Sequence, residues 1–182
     1  MKFILLDRDG VINFDSKDYI KSAAEWQAIP GSLEAIVELN RVGYRVIVVT
    51  NQSGLARGLF ERYALDEMHE KFTSQLAKLG GHIEEIFICP HHPDDNCECR
   101  KPKPGLFDQA KEKYQIHMTE TYYIGDTFSD MQAAGAAGCL PILVLTGKGQ
   151  ETLEKNPELD SILHFENLAA AVKFILKSEP HE

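Results

Sequence analysis

A chain of 182 residues, 43% hydrophobic and 26% charged, suffices for one domain with a substantial core and has an ordinary globular composition. Its formal net charge of −9 argues against nucleic acid as a partner, but leaves room for a small anionic ligand wherever positive charge is concentrated. No apolar run approaches the roughly 20 residues that cross a membrane, and the N-terminal run is shorter than the about 7–15 residues of a signal-peptide core, so the cytoplasm is the expected location.

The first predicted strand, Phe3–Leu6, runs straight into two aspartates, Asp7 and Asp9, and then Gly10. Like charges so close raise the cost of ionising each other. Either a simple turn or a site explains their place at a strand mouth. Residues 13–31 read as a small polar flap, with Asp15 and Tyr19 as candidate substrate contacts. A helical pattern follows over Ser32–Val42, then a strand over Arg45–Thr50 whose continuous apolar run predicts burial on both faces. "TNQSG" (Thr50–Gly54) closes that strand.

Helical spacing returns over Ala64–Leu79, and Glu85–Cys89 is the third strand. After it comes "CPHHPDDNCECRKPKPG", which contains the one short basic cluster of an acidic chain. A helix over Gly105–Tyr114 and a strand over Thr121–Ile124 lead to "GDTFSD" (Gly125–Asp130). A helix over Phe128–Ala137, strands over Pro141–Leu145 and, more weakly, Ile162–Phe165, and a helix over Leu168–Leu176 complete the order. Such alternation predicts an α/β fold, a single Rossmann-like domain over 1–182 with a parallel sheet and helices on both faces.

In open parallel sheets, ligands sit beyond the carboxyl ends of the strands. Here four of those ends are polar, Gly-bearing or charged. In that order, "DRDG", "TNQSG", the lysine of "RKPKPG" and "GDTFSD" resemble the four motifs of the haloacid dehalogenase superfamily of phosphatases. The resemblance implies that Asp7 is the nucleophile and forms an aspartyl-phosphate. Asp9 would be general acid and then base, so that Asp7 stays ionised while its neighbour holds a proton. Mg²⁺ would be held by the side chains of Asp7 and Asp126 and by the backbone carbonyl of Asp9. Thr50 and Lys101 would steady the transferring phosphoryl group, with Asn51, Gln52 and Ser53 as further donors toward substrate. The same resemblance gives Arg100 to substrate recognition, with Lys103 competing for the lysine's role, and makes Asp130 an orienting group.

Cys89, His91, Cys97 and Cys99 form C-x-H-x5-C-x-C, a ligand set suited to tetrahedral, structural Zn²⁺ in a loop over about 89–103. His92 is the alternative to His91, and a disulfide is the rival that a reducing compartment disfavours. Cys139 reads as a small buried residue. The cysteine loop resembles the zinc-bearing branch of the superfamily that contains heptose bisphosphate phosphatases and histidinol phosphatases. The spacing of the motifs leaves no room for a large cap domain.

The implied partner is a small phosphorylated metabolite, and the expected state is a monomer. Two substrates stay open. The basic loop, with Lys103 or Arg57 beside Arg100, favours the 7-phosphate of D-glycero-D-manno-heptose 1,7-bisphosphate, a precursor in heptose and lipopolysaccharide biosynthesis. Asp15 and Asp18 of the flap favour histidinol phosphate, and Thr127 stands where the heptose enzymes carry a lysine. A catalytically silent binding module is the reading from another class, but both motif aspartates and the motif lysine are present.

Overall fold

The layers follow from the alternation of side chains along the strands. In the computed structural model, which describes residues 1–178, strand β1 (Lys2–Leu6) is followed by α1 (Ser32–Arg41), β2 (Tyr44–Asn51), α2 (Arg62–Lys78) and β3 (Glu85–Cys89). Next come α3 (Gly105–Tyr114), β4 (Tyr122–Gly125), α4 (Phe128–Ala137), β5 (Leu140–Val144), α5 (Gly149–Lys155), β6 (Leu163–Phe165) and α6 (Leu168–Ser178). Ile4, Leu6, Val46 and Val48 point to one side of the sheet and pack on α1, α2 and α6. Phe3, Leu5, Ile47 and Val49 point to the other and pack on α3 and α4. Burying each such side chain contributes about 1.5–3 kcal/mol, so the two-sided apolar run predicted for these strands forms two cores.

All six strands are parallel, in the order β3-β2-β1-β4-β5-β6. The chain therefore winds outward from β1 in one direction, then restarts on its other side with β4. At this switch point, the helices leaving the two strands go to opposite faces and a crevice opens beyond the carboxyl ends. Leu6 of β1 pairs with both Val48 and Ile124, and the Asp7 amide continues the ladder to the Ile124 carbonyl at 2.9 Å. The register thus sets the ends of β1, β2 and β4 side by side.

Between β1 and α1 the chain makes no further domain. Residues 13–31 hold isolated bridges, Asn13 to Asp9 and to Ala28, and bury Trp26 against Phe72 at a ring separation of 5.4 Å. Lys71 of α2 donates to the carbonyls of Ala23 and Trp26, both at 2.7 Å, and pins the segment down.

Two elements depart from the predicted order. Helix α2 starts at Arg62, ahead of its apolar stripe, because its first turn is exposed and held by an Arg62–Asp66 pair at 2.9 Å. Helix α5 was not anticipated: its start, "TGKGQ", reads as a turn, and seven residues are too few for a clear apolar period. Among the described residues no helix is long and apolar enough to cross a membrane.

Candidate active site

A crevice of about 420 Å³ opens at the switch point. Every predicted strand end reaches it: Asp7 and Asp9, Thr50 to Ser53, Arg100 and Lys101, Asp126 and Asp130. Asp15 and Tyr19 of the flap line it too. Lys103 and Arg57 stand outside this lining. Lys103 is drawn to Glu98 at 2.8 Å, and Arg57 lies 5.8 Å from the Tyr19 ring centre.

Lys101 joins the parts. Its buried ammonium pairs with Asp130 at 2.7 Å and Asp7 at 3.1 Å, and donates to the Tyr123 hydroxyl and the Val49 carbonyl at 2.8 and 3.1 Å. Burial works against its charge, but the two carboxylates outweigh burial and hold the pKa above the ordinary lysine value. Asn51 clasps the backbone of the same residue, accepting from its amide at 3.1 Å and donating to its carbonyl at 3.3 Å. The Asn51 side chain is therefore committed to Lys101 although it lines the crevice.

Asp130 has both oxygens occupied. One accepts from Lys101 and from Tyr123 at 2.9 Å; the other accepts the amides of Asp126 and Thr127, each at 3.1 Å. With the Thr127 hydroxyl accepting from the Asp130 amide at 3.2 Å, this is a capping box at the start of α4. The motif "GDTFSD" thus folds as a strand end locked onto a helix start.

Asp7 and Asp126 lack such saturation. Burial, with Asp130 close by, pushes the Asp7 carboxyl up to about 8 against the pull of Lys101. Asp126 is raised well above the usual carboxylate value by burial, then by Asp130 and Asp7. Its Oδ2 accepts the Lys148 amide at 2.9 Å, whereas its Oδ1 is buried with no hydrogen-bond partner. Asp7, Asp126 and Asp130 each bring an oxygen within 4.8 Å of the others, and the one ammonium among them, Lys101, pairs with Asp7 and Asp130. Such a site is short of positive charge and suits an oxygen-ligated divalent cation. With Asp130 fully bonded, the side chains open to it are Asp7 and Asp126. Gly10, at φ +82°, is required here, since a Cβ would stand 2.1 Å from Asp126 Oδ2.

Asp9 sits in different surroundings. Burial alone would raise its pKa, but Arg8 at 2.8 Å, Asn13 at 2.9 Å and Gln52 at 2.8 Å hold it below the ordinary value. In the free protein these neighbours favour the ionised form of Asp9, while burial disfavours that of Asp7. Arg8, fully buried, reaches beyond Asp9 to His69 at 3.1 Å, and burial followed by Arg8 lowers that imidazole to about 4. Gln52 also donates to the Thr50 hydroxyl at 3.0 Å, leaving the Thr50 proton free for a ligand. The Gln52 side chain therefore braces Thr50 and Asp9.

The cysteine loop closes as a four-ligand cluster. Cys89 Sγ lies 3.6 Å from His91 Nδ1, 3.6 Å from Cys97 and 3.1 Å from Cys99, with Cys97 and Cys99 3.6 Å apart. These separations exceed the ~2.05 Å of a disulfide and approach the edges of a small tetrahedron. His92 is elsewhere, its Nδ1 accepting the Asp94 amide at 3.1 Å to start the turn Pro93–Asp95. Cys139 is buried against Met118, away from the cluster.

Residues 98–171 match the HAD-hydrolase-like family. The D-glycero-beta-D-manno-heptose-1,7-bisphosphate 7-phosphatase of Pseudomonas putida is 48% identical over 97% of this chain and 100% of its own. The same enzyme of Pseudomonas aeruginosa is 47% identical over 96% and 97%. A crystal structure of the D,D-heptose 1,7-bisphosphate phosphatase of Bordetella bronchiseptica, complexed with magnesium and phosphate, superimposes with a TM-score of 0.96 at 45% identity, covering 98% of this chain and 100% of that one. The chain belongs to the heptose bisphosphate phosphatase family of HAD-like hydrolases.

Three parts of this phosphatase escaped the sequence reading. Tyr123 looked like one more apolar strand residue, although its hydroxyl bridges Lys101 and Asp130. Arg8 was hidden between the two aspartates, and His69 lies 61 residues away on α2. The segment after β5 was not assigned, yet Thr146 donates to the Gly10 carbonyl at 2.7 Å and Thr152 to the Asp126 carbonyl at 2.9 Å. The strand-end rule, applied to a fifth strand, would have found that segment. Nothing local marks the other two.

Tyr123→Phe removes a buried hydroxyl shared by Lys101 and Asp130, so urea unfolding should show a loss of about 1–3 kcal/mol. An unchanged midpoint would mean that the hydroxyl does not hold the pair.

Proposed function

We propose that the protein hydrolyses the 7-phosphate of D-glycero-beta-D-manno-heptose 1,7-bisphosphate. Relatives that match over nearly the whole of both chains carry that activity in their names. The observation in this chain that carries the choice is Arg100, whose Nη1 is buried at the crevice wall without a hydrogen-bond partner. An unpaired guanidinium N–H suits the second phosphate of a bisphosphate. The amine of histidinol phosphate would meet the same cation with repulsion.

In this reading an Asp7 oxygen attacks phosphorus and the bond from phosphorus to the sugar oxygen breaks. The departing oxygen takes a proton from Asp9, leaving an aspartyl-phosphate. Water then attacks phosphorus and gives a proton back to Asp9, the bond to Asp7 breaks, and inorganic phosphate leaves. Arg8 keeps Asp9 ionised in the free protein, and an arriving phosphate dianion raises its proton affinity and so favours the acid form. Lys101 and the Thr50 hydroxyl face the phosphoryl oxygens, Ser53 lines the same wall, and Asp15 and Tyr19 of the flap face the sugar. Mg²⁺, held by Asp7, Asp126 and the Asp9 carbonyl, would offset the repulsion between the nucleophile and the phosphate.

Cys89, His91, Cys97 and Cys99 would hold one structural Zn²⁺, with no ligand position left for chemistry. Its task is to fix the segment that delivers Arg100 and Lys101. Thiols gathered as metal ligands suit a reducing compartment, so we place the enzyme in the cytoplasm, acting as a monomer.

With Mg²⁺ present, kcat/KM for the heptose bisphosphate should exceed that for histidinol phosphate by at least about tenfold, an advantage one charged contact can supply. A preference for histidinol phosphate would overturn the substrate. Asp7→Asn should cut kcat by about 10³-fold or more with the fold intact by circular dichroism. Retention of a tenth of the wild-type rate would rule out Asp7 as the nucleophile. Metal analysis should find close to one zinc per chain, lost in the double variant Cys97→Ser, Cys99→Ser, which should also melt earlier. Zinc-free protein with unchanged melting and activity would remove the structural role.

A further inference from the structure

The proposed substrate brings two phosphates into a crevice where one cation, Lys101, is consumed by Asp7 and Asp130. The residue after the fourth-motif aspartate supplies no charge either. Thr127 spends its hydroxyl on the Asp130 amide and on Ser129 at 3.0 Å. On that wall of the crevice the positive charge comes from Lys148.

We propose that Lys148 is a specificity-determining residue that joins Arg100 in binding the anionic group of the substrate that is not hydrolysed. Its backbone is fixed to the reacting centre, because its amide donates to Asp126 Oδ2 at 2.9 Å. Thr146 and Thr152 brace the same segment against Gly10 and Asp126. Its side chain, by contrast, is 60% exposed and pairs with Asp15 of the flap at 3.7 Å. A long, hydrated ion pair of this kind is weak, so a phosphate oxygen can replace the Asp15 carboxylate at little cost. The exchange would leave Asp15 free to accept from a sugar hydroxyl. Lys17 lines the crevice as well, but it is carried by the flap. Lys148 is carried by a loop bonded to Asp126, beside the nucleophile, and so starts from a backbone fixed relative to the phosphate being cleaved.

The inference rests on the bisphosphate reading, and the test separates the two. Steady-state kinetics with Mg²⁺ are measured for the heptose bisphosphate and for p-nitrophenyl phosphate, which has no second anionic group. For Lys148→Gln, the ratio of kcat/KM for the bisphosphate to that for the aryl phosphate should fall about tenfold, mainly through KM. Lys148→Arg should restore most of the ratio, since it returns the charge on the same backbone. Equal losses on both substrates would mean that the residue acts through Asp126, and would overturn the assignment. So would an unchanged ratio in Lys148→Gln while wild type prefers the bisphosphate. A wild-type enzyme with no preference for the bisphosphate would overturn this inference and the proposed substrate together.

Discussion

The site depends on one buried ammonium among carboxylates. Lys101 stands between Asp7 and Asp130 with almost no access to water. A charge in that position is tolerable only while its partners stay in place, since removing one partner of a buried pair costs about 3–5 kcal/mol. The order of the strands makes the arrangement possible. The ends of β1 and β4 bring Asp7 and Asp126 together from positions far apart in the chain. The capping box of α4 then turns Asp130 back toward the same point. Charge balance still falls short by the amount a divalent ion would supply, which connects the geometry to the magnesium in the Bordetella relative.

Lys101 must be delivered as well as neutralised. It comes from an irregular loop, which would ordinarily be free to sample many conformations. Two devices narrow them. The Cys/His cluster gathers residues 89–99 around one point, and Asn51 clips the Lys101 backbone to the end of β2. Gly105 packs so tightly on the Glu98 carbonyl that a Cβ would come within 2.3 Å, so helix α3 also begins against the cluster. Arg100, next in the chain, is placed by the same constraints.

Asp9 shows how surroundings set the proton affinity of a residue type. The motif implies that Asp9 carries a proton when the leaving oxygen needs it and lacks one when water attacks. Buried Arg8 and the amides of Asn13 and Gln52 give Asp9 the lower proton affinity in the free protein. Asp7, facing Asp130, has the higher one. The roles then depend on what enters the crevice, because a cation favours ionised Asp7 and a phosphate dianion favours protonated Asp9.

Much of this protein was written locally. Continuous apolar runs marked central strands such as β1 and β2, because burial on both faces leaves no polar alternation to confuse them, whereas β6, with His164 in it and Leu163 exposed, gave the weaker signal. Asp7, Asp9, Thr50, Lys101, Asp126 and the cysteine cluster were legible because each lies at a strand end or in a compact motif. Tertiary structure decided what those residues touch. His91 rather than His92 faces the cysteines, because the backbone turn at Pro93 uses the other ring. The side chains of Asn51 and Gln52 bond to Lys101, Asp9 and Thr50, Tyr123 joins the ion-pair network through a single hydroxyl, and Lys148 enters from a segment with no periodic signal. Periodicity records which face of an element is buried, whereas partnership between polar groups depends on distances set by strand order and register, which no local pattern encodes.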